Sequence, residues 1–137
     1  MKKYSVLISI VLCFIFISSM AVAAAESPKS IYAKFNKSVK AGDWKTVESY
    51  LTKAKRDEIN KIDKVKKAQI YKIIQASAPI SYKVQKEEIK GDKATLTLEG
   101  KAKSIFTGKV ELAQGRVAFI KENGEWKIQE ESWKSAE

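Results

Sequence analysis

One segment gives the clearest indication of the fold of this chain: Val117-Ala-Phe-Ile-Lys-Glu-Asn-Gly-Glu-Trp-Lys-Ile128. Its Asn123-Gly124 pair strongly favours a two-residue hairpin turn, because both turn positions need a positive φ. One strand before the turn and one strand after it each carry an apolar face, formed by Val117, Phe119, Trp126 and Ile128. The segment therefore predicts two paired antiparallel strands with one side buried.

Two further strands precede this hairpin, and a turn at Gly91-Asp92 joins them. Apolar and polar residues alternate on both sides of that turn, which is typical of strands with one buried face. The apolar positions are Ile80, Tyr82, Val84, Ala94, Leu96, Leu98 and Ala102. Four consecutive strands of this kind predict an antiparallel sheet that is covered on a single side.

The third strand, residues 107–121, has two apolar pairs that are out of phase. Val110 and Leu112 form the first pair, and the second comes after an odd number of residues. We therefore expect a β-bulge at Ala113-Gln114-Gly115, which restores the alternation. In this register the inner face carries apolar and aromatic residues only, and Glu99 and Glu111 fall on the outer face.

The N-terminal half has helical periodicity. Ser27 and Pro28 begin a first helix and Gly42 ends it, while Asp43 caps a second helix whose apolar face runs from Trp44 to Ala54. A third helical stretch ends before Pro79, and Asp63-Lys64 leaves open whether it is one helix or two. Helices followed by strands predict one α+β domain over residues 26–137, with the helices packed on one face of a curved four-stranded sheet.

Three segments resemble the nuclear-transport-factor-two-like superfamily: Ala41-Gly-Asp-Trp-Lys-Thr-Val-Glu-Ser-Tyr-Leu51, Gly91–Leu98 and Val117–Ile128. The likeness covers about residues 28–134 and is strongest to exported bacterial members, some of them lumazine-binding-like. It implies a cone-shaped α+β fold, and a cystatin-like fold with one helix against four strands is the alternative. The superfamily includes isomerases, dehydratases, ligand carriers and interaction modules, so the fold alone implies no activity.

Residues 1–25 have the three parts of a secretory signal peptide. Lys2 and Lys3 give the positive start, an apolar run follows from Val6 to Ile17, and small residues lead to a cleavage site before Glu26 or, alternatively, before Ala24. An uncleaved anchor is the other reading, but the apolar run is shorter than the roughly 20 residues that a membrane span needs. We therefore expect export to a periplasm or to the outside of the cell.

The composition excludes several classes of enzyme and metal site. The chain has no histidine, and its one cysteine, Cys13, lies in the predicted leader. Nucleophile systems that use histidine, histidine-ligated metals, multi-cysteine zinc sites and intrachain disulfides are thereby excluded. We expect no metal site, no cofactor and no catalytic residue.

A non-enzymatic binding role is the functional prediction, because none of the predicted inward residues titrates near neutral pH. The expected ligand is small and apolar, or else the partner is another component of the cell envelope. Aromatic side chains with polar tips are the candidate contacts, each with a core position as the alternative: Trp44, Tyr71, Tyr82, Phe119 and Trp126. A small isomerase-like or dehydratase-like enzyme is a further alternative, and it would need an acid inside the cone.

The positive charge suggests one more alternative. The formal net charge is +10, and removing Lys2 and Lys3 with the leader lowers it to +8. Lys34, Lys37 and Lys40 form a basic helical face that would suit anionic envelope polymers or lipids, or would simply keep the domain soluble. Lysine dominates over arginine and no aromatic residue is regularly interleaved, so nucleic acid is not an expected partner. A homodimer is a further expectation.

Overall fold

The computed structural model describes residues 25–136, so the predicted signal peptide lies outside the described residues except for Ala25. Four helices come first, then four strands. They are α1 Pro28–Ala41, α2 Trp44–Ser49, α3 Lys53–Asn60, α4 Lys64–Ser77, β1 Ser81–Lys90, β2 Lys93–Lys103, β3 Val110–Glu122 and β4 Glu125–Ser135. Across the described range, none of the helices combines the length and the apolar character that a membrane crossing requires.

Helix α1 begins and ends at the residues that the sequence indicates. The Ser27 hydroxyl accepts a hydrogen bond from the Ser30 N–H at 3.2 Å, and Pro28 occupies the first turn. Gly42 closes the helix at φ 70°, a left-handed conformation that glycine adopts without steric cost, and its N–H donates to the Val39 carbonyl at 3.1 Å.

The second helix is shorter than predicted. It ends at Ser49, because residues 50–52 extend along the edge of β4: the Ile128 N–H donates to the Tyr50 carbonyl at 2.8 Å, and the Thr52 N–H donates back to the Ile128 carbonyl at 3.1 Å. Thr52 then caps α3, and Ala54 is exposed rather than on a buried face. The third helical stretch is divided at Asp63: Ile59 belongs to α3, and α4 begins at Lys64 with the Asp63 carboxylate as its cap.

The strands form one antiparallel sheet in the order β1-β2-β3-β4. Helix α1 crosses the inner face of this curved sheet, and the hydrophobic core lies between them. The core residues are Ile31, Tyr32, Phe35, Val39, Val47, Ala94, Leu96, Leu98, Val117, Phe119, Trp126 and Ile128. This confirms the predicted α+β class.

The predicted bulge in β3 is wrong. Ala113, Gly115 and the apolar positions after them alternate regularly as buried residues, so Val110 and Leu112 lie on the other face and are 55% and 56% exposed. Glu111 consequently shares the phase of Ala113 and is half-buried, not on the outer face. The register breaks instead between Val84 and Lys86 in β1, and across from Ala118/Phe119 in β4.

Candidate functional site

The bulge in β4 turns an acidic residue inward. Phe119 pairs with Ile128 and Ala118 pairs with Glu130, so Gln129 is the extra residue. After it, Glu131 lies opposite Val117 and Trp133 lies opposite Gly115, and both follow the inner-face phase of β3. The prediction that the inner face carries no acid is therefore wrong.

The signal for this bulge is present in the sequence. Ile128 and Trp133 are five residues apart, an odd spacing that cannot put both side chains on one face of a regular strand. Treating both as inner-face residues requires one inserted residue between them, and that shift also turns Glu131 inward.

Glu131 is held by two donors that reach the same oxygen. The Tyr32 hydroxyl and the Trp133 indole N–H each donate to Oε1 at 2.8 Å. Burial raises the pKa of the Glu131 carboxyl, and the two hydrogen bonds oppose that rise without cancelling it. Burial also raises the pKa of Tyr32, with the neighbouring carboxylate adding to the effect, so Tyr32 remains a neutral donor. This carboxyl therefore keeps its proton to a higher pH than an ordinary carboxyl does.

A cavity of about 310 Å³ adjoins this carboxyl, and we call it the Glu131 cavity. Helix α1, the C-terminal part of α4 and strand β4 contribute its walls. The lining residues are Phe35, Asn36, Val39, Ile74, Ser77, Ala78, Pro79, Glu131 and Trp133. Most of this surface is apolar, and the polar groups are concentrated where α1 faces β4.

Asn36 is the second polar group of this cavity and was not singled out from the sequence. Its side chain is 4% exposed, and neither the amide oxygen nor the amide nitrogen has a hydrogen-bond partner among the described residues. A buried polar group left unpaired typically costs about 1–3 kcal/mol. A ligand that pairs with Asn36 would remove this cost, which makes the residue a candidate binding group.

Gly115 leaves the room that Trp133 occupies. A Cβ atom at Gly115 would lie 2.7 Å from the Trp133 ring, closer than real side chains approach one another. The indole therefore lies flat against the backbone of β3, where it borders the cavity and donates to Glu131.

Two of the predicted ligand contacts, Trp44 and Tyr71, lie together at a different place. Their rings stack at 4.1 Å with an 8° angle between planes. The Tyr71 hydroxyl donates to Glu48, which also pairs with Lys67 at 2.8 Å. Because Tyr71 and Lys67 belong to α4 and the other two residues to α2, this cluster joins the two helices.

The other three predicted contacts are spread through the domain. Phe119 is in the core, and Trp126 is buried there too, bordering a hollow next to Tyr50. Tyr82 is half-buried: its ring meets the Tyr32 ring edge-on at 5.1 Å, and it borders a small hollow beside Lys37. None of the five aromatic residues is among those that line the Glu131 cavity.

The three candidate polyanion-binding lysines have different surroundings. Lys34 pairs with Glu26 at 2.6 Å, and the Lys40 ammonium donates to the Ile80 carbonyl at 3.1 Å. Lys37 is exposed on the same helix. As for metals, no group of three or more acidic, histidine or cysteine side chains within residues 25–136 could hold an ion.

No protein-family model matches the sequence, and no curated protein matches it. Solved structures do match in fold. A SEC-C motif containing protein from Rhodopseudomonas palustris is 17% identical over 77% of each chain, with a TM-score of 0.58. A proposed ketosteroid isomerase from Shewanella frigidimarina is 16% identical over 77% of this chain and 92% of its own, with a TM-score of 0.55.

A proposed dehydratase of the nuclear-transport-factor-two-like family from Streptomyces avermitilis is 14% identical, over 79% of this chain and 93% of its own, with a TM-score of 0.53. At these identities the likeness shows the fold alone. It confirms the nuclear-transport-factor-two-like fold that the sequence segments resemble, in place of the one-helix cystatin-like alternative.

Proposed function

We propose that this chain, which has the nuclear-transport-factor-two-like fold, binds a small ligand in the Glu131 cavity. The ligand has an apolar body and one polar group. Phe35, Val39 and Ile74 offer the apolar walls, and a volume of about 310 Å³ lies at the lower end of the usual range for ligand pockets. The observation that carries the proposal is the buried amide of Asn36, which has no hydrogen-bond partner within residues 25–136.

The polar group of the ligand is best matched by a carbonyl or a carboxamide. Asn36 offers one acceptor and a two-hydrogen donor, so a carboxamide can form two hydrogen bonds with it. Glu131 accepts a hydrogen bond when ionised and donates one when protonated, and burial, which raises its pKa, favours the protonated form more than in an ordinary carboxyl. An entirely apolar ligand would leave the Asn36 amide unpaired and would give Glu131 no partner beyond Tyr32 and Trp133.

A substitution of Asn36 tests this proposal. Benzamide carries a ring and a carboxamide, and toluene carries the ring alone. We expect benzamide to bind more tightly, and Asn36→Leu to weaken its binding about tenfold while it raises the free energy of unfolding by about 1 kcal/mol. Binding is followed by NMR on the Trp133 indole N–H, with the Trp44 and Trp126 indole signals as internal controls, and stability by urea denaturation.

Asn60→Leu is the matched control, because Asn60 is exposed at the end of α3. It should change neither binding nor stability in the same way. A Trp133 signal that benzamide does not move, or an Asn36→Leu variant that binds benzamide as tightly as the wild type, would contradict the proposal.

Acid–base chemistry on the bound ligand is the second candidate function. A half-buried carboxyl with a raised pKa beside a cavity is suited to take a proton from the carbon next to a carbonyl group. Two of the structurally similar proteins are named as a ketosteroid isomerase and a dehydratase, which is consistent with such chemistry on this fold. Glu131 would be the base.

Deuterium exchange separates this candidate from binding alone. The methyl protons of acetophenone exchange slowly in D₂O, and a base positioned next to them would accelerate the exchange. If Glu131 is that base, the wild-type protein accelerates exchange and Glu131→Gln does not. Equal rates for the two proteins, with acetophenone bound to both, would leave a binding function only.

We further propose that this domain acts outside the cytoplasm. Support comes from residues 1–25 alone, with their positive start, apolar run and small residues before Glu26. Mass spectrometry of the protein from envelope and culture fractions should find a chain that begins at Glu26 or Ala24. A cytoplasmic chain that still begins at Met1 would contradict export.

A further inference from the structure

The Glu131 cavity is the inner end of a longer cleft. A second cavity, of about 290 Å³, also borders Ser77 and Trp133, and a third, of about 430 Å³, shares Ser104 and Ile105 with the second. The second hollow therefore neighbours each of the other two, next to α4, the loop at residues 104–109 and the end of β4. We call these three neighbouring hollows together the α4 cleft.

The outer part of the α4 cleft is apolar although it faces solvent. Phe106 in the second cavity is 92% exposed, and Ile73 and Ile105 in the third are also well exposed. Leu112, which the sequence predicts to be buried, borders the same second cavity. Exposed apolar side chains that adjoin each other commonly mark a binding surface.

Two lysines border the mouth of the α4 cleft. Lys72 on α4 and Lys103 at the end of β2 both line the third cavity, and no acidic side chain is among the described residues that line it. Neither lysine forms an ion pair within residues 25–136, whereas Lys53, Lys55, Lys66 and Lys67 on α3 and α4 are paired. Glu111 borders the second cavity, where its carboxylate accepts a hydrogen bond from the Ser135 hydroxyl at 3.2 Å.

We propose that the α4 cleft binds a monomeric anionic amphiphile, with its head group between Lys72 and Lys103 and its chain directed past Ile105 and Trp133. The far end of the chain carries a hydroxyl or carbonyl group that pairs with Asn36. This inference rests on the proposed function, because the inner end of the ligand occupies the Glu131 cavity. Burial of the methylene chain favours binding through the hydrophobic effect, and the two lysines, which form no ion pair within residues 25–136, select a negative head group.

Matched probes separate the two ends of such a ligand. The hydroxy acid 10-hydroxydecanoate has both polar ends, decanediol lacks the charge, and decanoate lacks the inner hydroxyl. We expect the hydroxy acid to bind most tightly and to shift the Trp133 indole signal. The double variant Lys72→Gln/Lys103→Gln should weaken binding of the hydroxy acid about three- to tenfold and leave decanediol binding unchanged.

Lys45→Gln/Lys90→Gln is the matched control, because it removes the same charge from exposed positions that line none of the three cavities. It should leave the affinity for the hydroxy acid within about twofold of the wild type. Added salt should remove the preference for the hydroxy acid over decanediol, because the head group is paired at an exposed rim.

The outcomes distinguish this inference from the proposed function. If benzamide binds but the hydroxy acid and decanediol bind equally well, the head-group site is overturned and the Glu131 cavity remains a binding site. If neither benzamide nor any chain binds, both proposals fail. Retention on anionic lipid vesicles through Lys72 and Lys103, without binding of the monomeric hydroxy acid, would replace the inference with a membrane surface.

Discussion

Helices α1 and α4 have the same length, 14 residues, and opposite relations to the core. Six residues of α1 are buried, and the helix face that carries them lies against the sheet. No residue of α4 is buried, and four of its large apolar side chains are exposed: Val65, Ile70, Ile73 and Ile74. The domain thus has a close-packed end under α1 and an open end under α4, where the α4 cleft lies.

The open end is held mainly by polar contacts. The Gln75 amide donates to the Lys40 carbonyl at 3.0 Å, and the Tyr71–Glu48–Lys67 cluster with stacked Trp44 joins α4 to α2. Individual hydrogen bonds and exposed ion pairs contribute little net stability compared with core burial. Local opening of α4 should therefore need less free energy than global unfolding, and such opening would admit a ligand to the Glu131 cavity.

The same substitution in the two helices should show most clearly whether their packing differs. Ile31 in α1 is 9% exposed and Ile73 in α4 is 55% exposed. Ile31→Ala removes core packing and should lower the free energy of unfolding by about 2–4 kcal/mol. Ile73→Ala should change it by less than about 0.5 kcal/mol, because the side chain packs little and alanine favours a helix.

Urea denaturation of the two variants measures both effects. The m-value should be the same in both, so that a shift in midpoint reports stability. Comparable losses from Ile31→Ala and Ile73→Ala would show that α4 is packed as tightly as α1, and the open end would then not exist as described.

Tyr71→Phe tests the polar attachment of α4, and we expect a smaller effect on stability. The Tyr71 hydroxyl donates to Glu48, and burial with this carboxylate raises the pKa of Tyr71 to about 12. Removing the hydroxyl should lower the free energy of unfolding by about 1 kcal/mol or less, while the Trp44 stack remains. Amide hydrogen exchange should accelerate in α4 and stay unchanged in α1.

Ser77→Ala is the control on the same helix, because the Ser77 hydroxyl donates only to the carbonyls of Ile73 and Ile74 within α4. It should leave the attachment to α2 intact. If Tyr71→Phe accelerates exchange equally in α1 and α4, the two helices open together and the polar cluster does not act as a separate attachment.

The close-packed end could be predicted from the sequence, and the open end could not. At the close-packed end, the residues with helical spacing are also the buried ones: Ile31, Phe35 and Val39 recur at that spacing, and Gly42 stops the helix. The same stripe also contains Asn36, four residues after Tyr32, and a polar residue at such a position indicates a buried polar group. Periodicity therefore describes the core correctly wherever packing is complete.

At the open end, apolar residues remain exposed, so their identity no longer reports which face is buried. Val110 and Leu112 are apolar but exposed. Treating them as core residues therefore predicts a bulge in β3, where the pairing with β2 is regular. Gly115 holds a buried position because Trp133 occupies the space above it, and the small residue Ala113 is buried two positions earlier. The odd spacing of Ile128 and Trp133 is compatible with a bulge in β4, and the pairing of Trp133 with Gly115 fixes the register that turns Glu131 inward.

The smallest expected effect concerns the pH dependence of the open end. Burial raises the pKa of Glu131 in the folded chain, so the folded state binds this proton more tightly than the unfolded state. The resulting stabilisation is fully present below the ordinary carboxyl pKa of about 4.3 and is lost as the pH rises through the folded value. Glu131→Gln keeps an oxygen that can accept from Tyr32 and Trp133 and does not titrate.

Thermal unfolding of wild type and Glu131→Gln from about pH 4 to pH 8 measures this term, and the variant should gain stability relative to wild type as the pH rises. Glu99→Gln, on the exposed outer face, makes the same chemical change away from the cavity. Its difference from wild type should not follow the same pH course. If the stability difference between Glu131→Gln and wild type stays constant with pH, the Glu131 carboxyl is solvated like the exposed groups of the open end. The Glu131 cavity would then have no polar inner wall that differs from its solvent-exposed surface.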